Sequence, residues 1–140
     1  MEFIAKFFDE LSGAEVYEIV RARQEIFLIE QHIVCRDFDG VDYDALHCFL
    51  WENEQVVAYM RAFRVENEVH LGRFLTLRHG EGLGRRLMEL SLPVITEKFG
   101  CERISFHAQK HAEGFYQKLG FKTVSEVFLE EGIPHVLMQN

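Results

Sequence analysis

Residues 69–99, VHLGRFLTLRHGEGLGRRLMELSLPVITEKF, decide the fold. Val69 to Leu77 reads as a strand, residues 80–84 as a glycine-rich turn, and Leu83 to Phe99 as a helix. A glycine turn entering a helix makes an anion cradle. Successive backbone N–H groups converge on the negative charge, and the helix N-terminus adds its partial positive charge. Arg85 and Arg86 set full charges beside it, so His79-Gly80-Glu81-Gly82-Leu83-Gly84-Arg85-Arg86 reads as a pyrophosphate site. A tight turn that binds nothing is the other reading of the same spacing. Pro93 lies inside the helix and is expected to kink or interrupt it, because its ring blocks the bond back to Glu89.

Two other phosphate loops do not fit these residues. The dinucleotide fingerprint needs a third glycine three residues after Gly84, where Leu87 stands. A P-loop needs Lys followed by Ser or Thr, and this chain has Arg85 and Arg86.

Upstream of this stretch, residues 2–8 read as a strand. Ser12 caps a helix from Ala14 to Glu30, with Glu15 placed for a capping box and Val16, Ile19, Val20 and Phe27 on one face. Residues 32–45, with Asp37, Asp39, Gly40, Asp42 and Asp44, read as a solvated acidic loop. Leu46–Glu52, Val56–Arg64 and Val69–Leu77 form an antiparallel meander with polar turns at Asn53 and Asn67. Downstream come a strand at Arg103–Ala108, a short helix at Ala112–Leu119 closed by Gly120, and strands at Lys122–Leu129 and Ile133–Met138. The order β, α, three β, α, β, α, β, β is not the alternation of a doubly wound fold. It is an α+β layout: a mixed, mostly antiparallel sheet flanked by helices. No repeat or linker-like stretch divides residues 1–140, so a single domain is expected.

Composition narrows the function. The 140 residues are 48% hydrophobic with 13 Phe, enough to bury a core without disulfides or metals. Cys35, Cys48 and Cys101 are scattered and fit reduced thiols. No apolar run is long enough to span a bilayer and no leader pattern opens the chain, so no membrane role and a cytoplasmic location are expected. A formal net charge of −8 argues against nucleic-acid binding and mildly favours a cationic partner. No metal is expected: the Asp37–Asp44 loop lacks EF-hand spacing, and His47-Cys48 and His107/His111 lack zinc spacing.

With these residues in view, the chain resembles the GNAT superfamily of N-acetyltransferases. The signature loop Q/R-x-x-G-x-G/A is matched by Gly82 and Gly84, with His79 where Arg or Gln is usual. The late pattern A-x-x-F-Y-x-x-x-G-F is matched by Ala112, Phe115, Tyr116, Gly120 and Phe121, with Gln109 where Asn is frequent. Arg23-Gln24-Glu25-Ile26-Phe27 with Glu30-Gln31, Asp37/Asp39, Gly72-Arg73, His107-Ala108-Gln109 and Gly132-Ile133-Pro134-His135 are similar to its ElaA-like branch.

The resemblance implies acetyl transfer from acetyl-CoA to a primary amine by direct attack in a ternary complex. It puts Phe74, Leu75, Thr76 and Leu77 along the pantetheine arm. His79, Gly80, Glu81, Gly82, Leu83, Gly84 and Arg85 lie around the pyrophosphate, with Gln109 also on the cofactor. Homodimers are common among proteins of this resemblance. The acceptor is a small-molecule or peptide amine. Deprotonating a lysine-like amine near neutral pH costs roughly 4–5 kcal/mol, so a base is needed. The family position of Tyr116 makes it the general acid for the departing thiolate; a Tyr that only packs its helix is the alternative. His107, which ends its strand on the face opposite Ile104, Phe106 and Ala108, is a base candidate, as are His135 and Glu30. Arg23 and Glu30 fall inside the apolar arc of the first helix, where charges are costly unless paired or lining a pocket. They are assigned to the acceptor pocket, with His107 and His135; a structural ion pair is the other reading of Arg23. A different class of function, a non-catalytic acyl-CoA-binding sensor, would use the same cradle.

Overall fold

A computed structural model describes residues 1–101 and 103–140. The strands are β1 (Glu2–Phe7), β2 (Leu46–Glu52), β3 (Gln55–Val65), β4 (Glu68–Thr76), β5 (Ile104–Gln109), β6 (Lys122–Thr123), β7 (Phe128–Glu130) and β8 (Ile133–Gln139). The helices are α1 (Gly13–Arg23), α2 (Leu83–Phe99) and α3 (Glu113–Lys118). One sheet runs β1-β2-β3-β4-β5-β8-β6, with β7 also paired to β8. All of its pairings are antiparallel except β4 with β5.

Strand alternation divides the core between two faces. Ala58, Met60 and Ala62 of β3 pack with Leu87, Met88 and Ile95 of α2. Tyr59 points the other way, to Ile19, Ala22 and Ile26 on the first-helix side. Each fully buried side chain such as Leu87 contributes about 1.5–3 kcal/mol.

The parallel pair makes the opening in the sheet. β4 and β5 share only Val69↔Ile104 and His70↔Ser105 before they part. Arg61 pairs with Gly72 and Tyr59 with Leu75, so Met60 alone stands opposite Arg73 and Phe74. That is a bulge, and Arg73 sits in it at φ 54°. An extra residue bends and overtwists its strand, which turns the end of β4 away from β5.

Several elements differ from the sequence expectation. Ser12 does cap α1, accepting from Glu15 N–H at 3.1 Å while Glu15 accepts from Ser12 N–H at 2.8 Å. The α-helix ends at Arg23, however, and Gln24–Glu30 continues as a π-helical segment. Its buried stripe is Glu15, Ile19, Ala22, Arg23 and Ile26, a face rotated from the one expected. Pro93 does not interrupt α2. It and Glu89 face solvent, so water can satisfy the carbonyl that loses its N–H partner. The expected strand Lys122–Leu129 is broken at residues 124–127 into β6 and β7. The last helix opens with a 3-10 turn at Lys110–Ala112.

The acidic loop is largely exposed, as expected, but three of its aspartates are held by arginines. Arg23, 1% exposed, donates to Asp37 Oδ2 at 3.0 Å, Asp42 Oδ1 at 2.7 Å and the Asp37 carbonyl at 2.7 Å. Arg61 donates to both Asp39 oxygens at 2.9 and 2.7 Å and to Asp42 at 3.1 Å. Arg73 reaches Asp37 at 2.8 Å. Behind them, buried His47 donates from Nε2 to the Asp42 carbonyl at 2.9 Å and accepts at Nδ1 from Tyr59 at 2.7 Å. Burial lowers the His47 pKa, which keeps this ring neutral.

The web predicts an acid-sensitive fold. The Arg61 hydrogen bond holds the Asp39 carboxyl at about 2, down from 3.8. Burial alone would raise Asp42, but the Arg23 hydrogen bond and the charges of Arg23 and Arg61 bring it below its usual value. Both folded-state values are depressed, so the stabilisation is full above the unfolded value of 3.8 and is lost as pH falls toward about 2. The thermal midpoint is therefore expected to drop over that window, and Asp39→Asn to flatten the drop; an equal drop in the variant would remove Asp39 as a cause.

Candidate active site

The gap between β4 and β5 opens into a cleft of about 710 Å³. At one end lies the glycine turn. Gly80 and Gly82 take φ 79° and 71°, a left-handed conformation that glycine adopts without strain. Gly82 caps α2 with no side-chain hydrogen bond, and the first turn holds no acidic residue. The leading N–H groups of a 17-residue helix are thus left for a ligand. Gly84 has a different role. A Cβ there would stand 3.0 Å from the Phe74 ring, so its absence lets α2 approach β4.

Several charged side chains around the turn are paired with neighbours. Arg85 reaches Glu89 at 2.8 Å, and Arg78 reaches Glu52 at 2.6 Å and Glu81 at 3.1 Å. His79 is well exposed, with Nε2 3.8 Å from Glu30. Gly80, Gly82, Leu83, Gly84 and Arg85 line the cleft, as do Phe74, Leu75 and Thr76. Glu81 is outside the lining, and so is Leu77, whose N–H bonds to Val57 on the β3 side.

Tyr116 is buried in the cleft wall, its ring 4.7 Å from Phe106, 5.1 Å from Phe115 and 5.8 Å from Phe74. Its hydroxyl has no hydrogen-bond partner among the described residues. Burial raises its pKa, so the phenol keeps its proton through the neutral range.

The strand beyond brings three titratable groups together on the opposite face. His107 Nδ1 lies 2.7 Å from Glu130 Oε1, and His135 Nε2 lies 3.5 Å from Glu130 Oε2. His135 Nδ1 is 2.7 Å from the Ile133 carbonyl, and its ring stacks on Phe128. Gln109 donates to Gln31 at 3.0 Å and accepts from His111 at 2.7 Å. All of the base candidates, Glu30, His107 and His135, line this one cleft.

Arg23 is corrected. It is absent from the cleft lining and locked in the aspartate web, because its inward position on α1 ends against the loop. Glu130 was missed by sequence reasoning, although a signal existed. Glu131 and Gly132 both have positive φ, 51° and 73°, the two-residue turn that sets Glu130 opposite Ile133 and Phe128 opposite His135. Among the described residues, no three His, Cys, Asp or Glu side chains are grouped to hold a metal. No helix among them is long and apolar enough to cross a membrane.

Comparison with known proteins agrees with this architecture. Residues 25–140 match the acetyltransferase (GNAT) domain family. The chain is 34% identical over 136 residues to protein ElaA of Escherichia coli (strain K12), covering 92% of this chain and 89% of that protein. The crystal structure of Escherichia coli ElaA superposes with a TM-score of 0.93 at 33% identity, covering 99% of each chain. That of an acyl-CoA N-acyltransferase from Pseudomonas aeruginosa does so with 0.93 at 32%, again over 99% of each. An aminoglycoside 6'-N-acetyltransferase complexed with coenzyme A shares the fold alone, with a TM-score of 0.76 at 14% identity over 98% of this chain and 96% of that one. A family match across most of the chain, joined to a split sheet with a glycine turn at the head of α2, establishes that this protein belongs to the GNAT acetyltransferase family.

Proposed function

We propose that residues 1–140 act as one cytoplasmic acetyl-CoA-dependent N-acetyltransferase domain that acetylates a primary amine by direct attack in a ternary complex. The observation that carries the reading is a single cleft joining an uncapped helix N-terminus to a protonated, unpartnered Tyr116 hydroxyl. The residues fit the donor. The N–H groups of Gly80–Arg85 suit its pyrophosphate, and the edge of β4 at Phe74–Thr76, unpaired toward β5, suits the pantetheine arm. Acetyl-CoA supplies an activated thioester.

The chain's own groups do the rest. Tyr116 donates its proton to the departing sulfur. The amine proton goes to a base on the sheet face that carries His107 and His135, or to Glu30. Burial of Tyr116 matters for the division of labour: a raised pKa makes it a poor base and leaves it protonated for the acid role.

A thermal-shift experiment tests the reading, with acetyl-CoA, CoA, NAD and ATP compared side by side. At about 100 times its dissociation constant, acetyl-CoA should stabilise the protein by roughly 2.7 kcal/mol, a rise of several degrees, with CoA acting likewise and NAD and ATP inactive. No shift with either thioester or thiol would remove the enzyme reading. A shift without transfer to any primary amine would leave an acyl-CoA sensor instead.

A further inference from the structure

We infer that Glu130 converts His107 into the base that takes the acceptor amine's proton. The inference rests on the acetyltransferase reading and assigns the residue that reading leaves open. Glu130 itself is a positioning residue, acting through His107.

Hydrogen-bond chemistry sets the proton positions. The Ile133 carbonyl can only accept, so His135 Nδ1, 2.7 Å away, must carry a hydrogen. A neutral His135 then presents a bare Nε2 lone pair to Glu130 Oε2 at 3.5 Å. At the other oxygen, an ionised Glu130 only accepts, so His107 Nδ1 donates to it across 2.7 Å. A neutral His107 therefore has its proton on Nδ1 and a bare Nε2. When Nε2 takes a proton, the adjacent carboxylate stabilises the resulting imidazolium. Second groups that fix a histidine's tautomer in this way decide which nitrogen can act.

Access separates the candidates. The His107 side chain is 50% exposed, whereas that of His135 is 8% exposed with Nδ1 donating to the Ile133 carbonyl. Glu30 lies toward the glycine turn, its Oε1 3.8 Å from His79 Nε2. Among the described residues, the cations lining the same cleft include Arg61 and Arg73, each paired with aspartates. From β5 come His107 and Gln109, from the β7–β8 hairpin Glu130, Glu131 and His135, and across β8 the apolar Leu137. Further along the face, His70 is paired to Glu68 at 2.8 Å, which also accepts from Ser105 at 2.9 Å. The rings of His107 and Phe128 meet edge to face at 5.0 Å, which fixes the imidazole plane.

The proton balance is complete. His107 Nε2 accepts one ammonium proton and releases it to solvent. The nitrogen–carbonyl bond forms as the carbon–sulfur bond breaks, and Tyr116 protonates the sulfur. The second nitrogen proton, lost as the amide forms, restores Tyr116 through solvent.

The test uses the full chain with three probe acceptors, spermidine, glucosamine and a lysine-containing peptide, and two variants, Glu130→Gln and Glu130→Asp. With Glu130→Gln, kcat should fall roughly 10- to 100-fold and the acid limb of its pH profile should move, while acetyl-CoA affinity stays unchanged. Glu130→Asp should recover part of the rate. Nitrogen-15 spectra of the free protein should show neutral His107 protonated on Nδ1, and Glu130→Gln should release that tautomer. Wild-type turnover and pH profile in Glu130→Gln would overturn the inference, as would an Nε2-protonated His107 in the wild type. If the wild type acetylates none of the three probes, the tautomer alone decides. Failure to bind acetyl-CoA at all would instead bring down the acetyltransferase reading, and the base role with it.

Discussion

Arg23→Ala is expected to lower the thermal midpoint by roughly ten degrees, because the deletion removes about 3 kcal/mol from a domain of this size. The side chain is 1% exposed and makes three charge-assisted bonds to Asp37 and Asp42. It also lies over the rings of Tyr59 and Phe38, with centroids 5.9 and 5.8 Å away. Without it, Asp42 keeps only Arg61, and Asp37 keeps only Arg73 among its arginine partners. Removing one member of a buried ion pair costs about 3–5 kcal/mol, and the partial exposure of both aspartates sets the lower figure. That is a large fraction of the 5–15 kcal/mol typical of a whole domain, so some of the variant should be unfolded at 37 °C or recovered poorly, on the order of a marginal fold. Denaturation of the purified variant measures the loss. Wild-type stability with a raised amine KM would return Arg23 to the acceptor pocket.

Tyr116→Phe carries the largest expected effect on chemistry: turnover should fall at least tenfold, toward the roughly 10²–10⁴ typical of a lost acid, with acetyl-CoA affinity largely intact. Phe fits the same aromatic wall of Phe74, Phe106 and Phe115, and the hydroxyl it lacks has no partner whose bond would be broken. Folding is therefore spared, and the loss should appear in kcat rather than in binding. Steady-state kinetics with a calorimetric acetyl-CoA titration separates the two. Unchanged turnover would reduce Tyr116 to a packing residue.

Both predictions concern residues visible from sequence, but what each side chain meets differs in how far away it lies. Tyr116 stands in a helix closed by Gly120 just after a buried strand, and all of that punctuation is local. Arg23 was also seen to point inward, from helical spacing alone. What it points at lay out of reach, since Asp37 and Asp42 are 14 and 19 residues downstream across an irregular loop. A charge facing inward has the same periodicity whether it meets a substrate or an aspartate.

Strand alternation, the capping box at Ser12, the glycine turn and the meander were all readable because each depends on contacts within a few residues. Turn conformation and side-chain period act at that range. The π-helical turn after Arg23, the uninterrupted passage of α2 through Pro93 and the break between β6 and β7 were not, because each is set by what the element packs against. The same holds for the site. The glycines needed no partner to be recognised, but the bulge at Arg73 that parts β4 from β5 exists only in register with β3. Glu130 meets His107 across 23 residues, through a hairpin that folds back onto β5. Short-range pattern was enough for most of the elements and for the glycine turn at the head of α2. The pairing of distant charges, and with it the choice between structural and chemical roles, depends on sheet register and twist, which bring together segments that no local period relates.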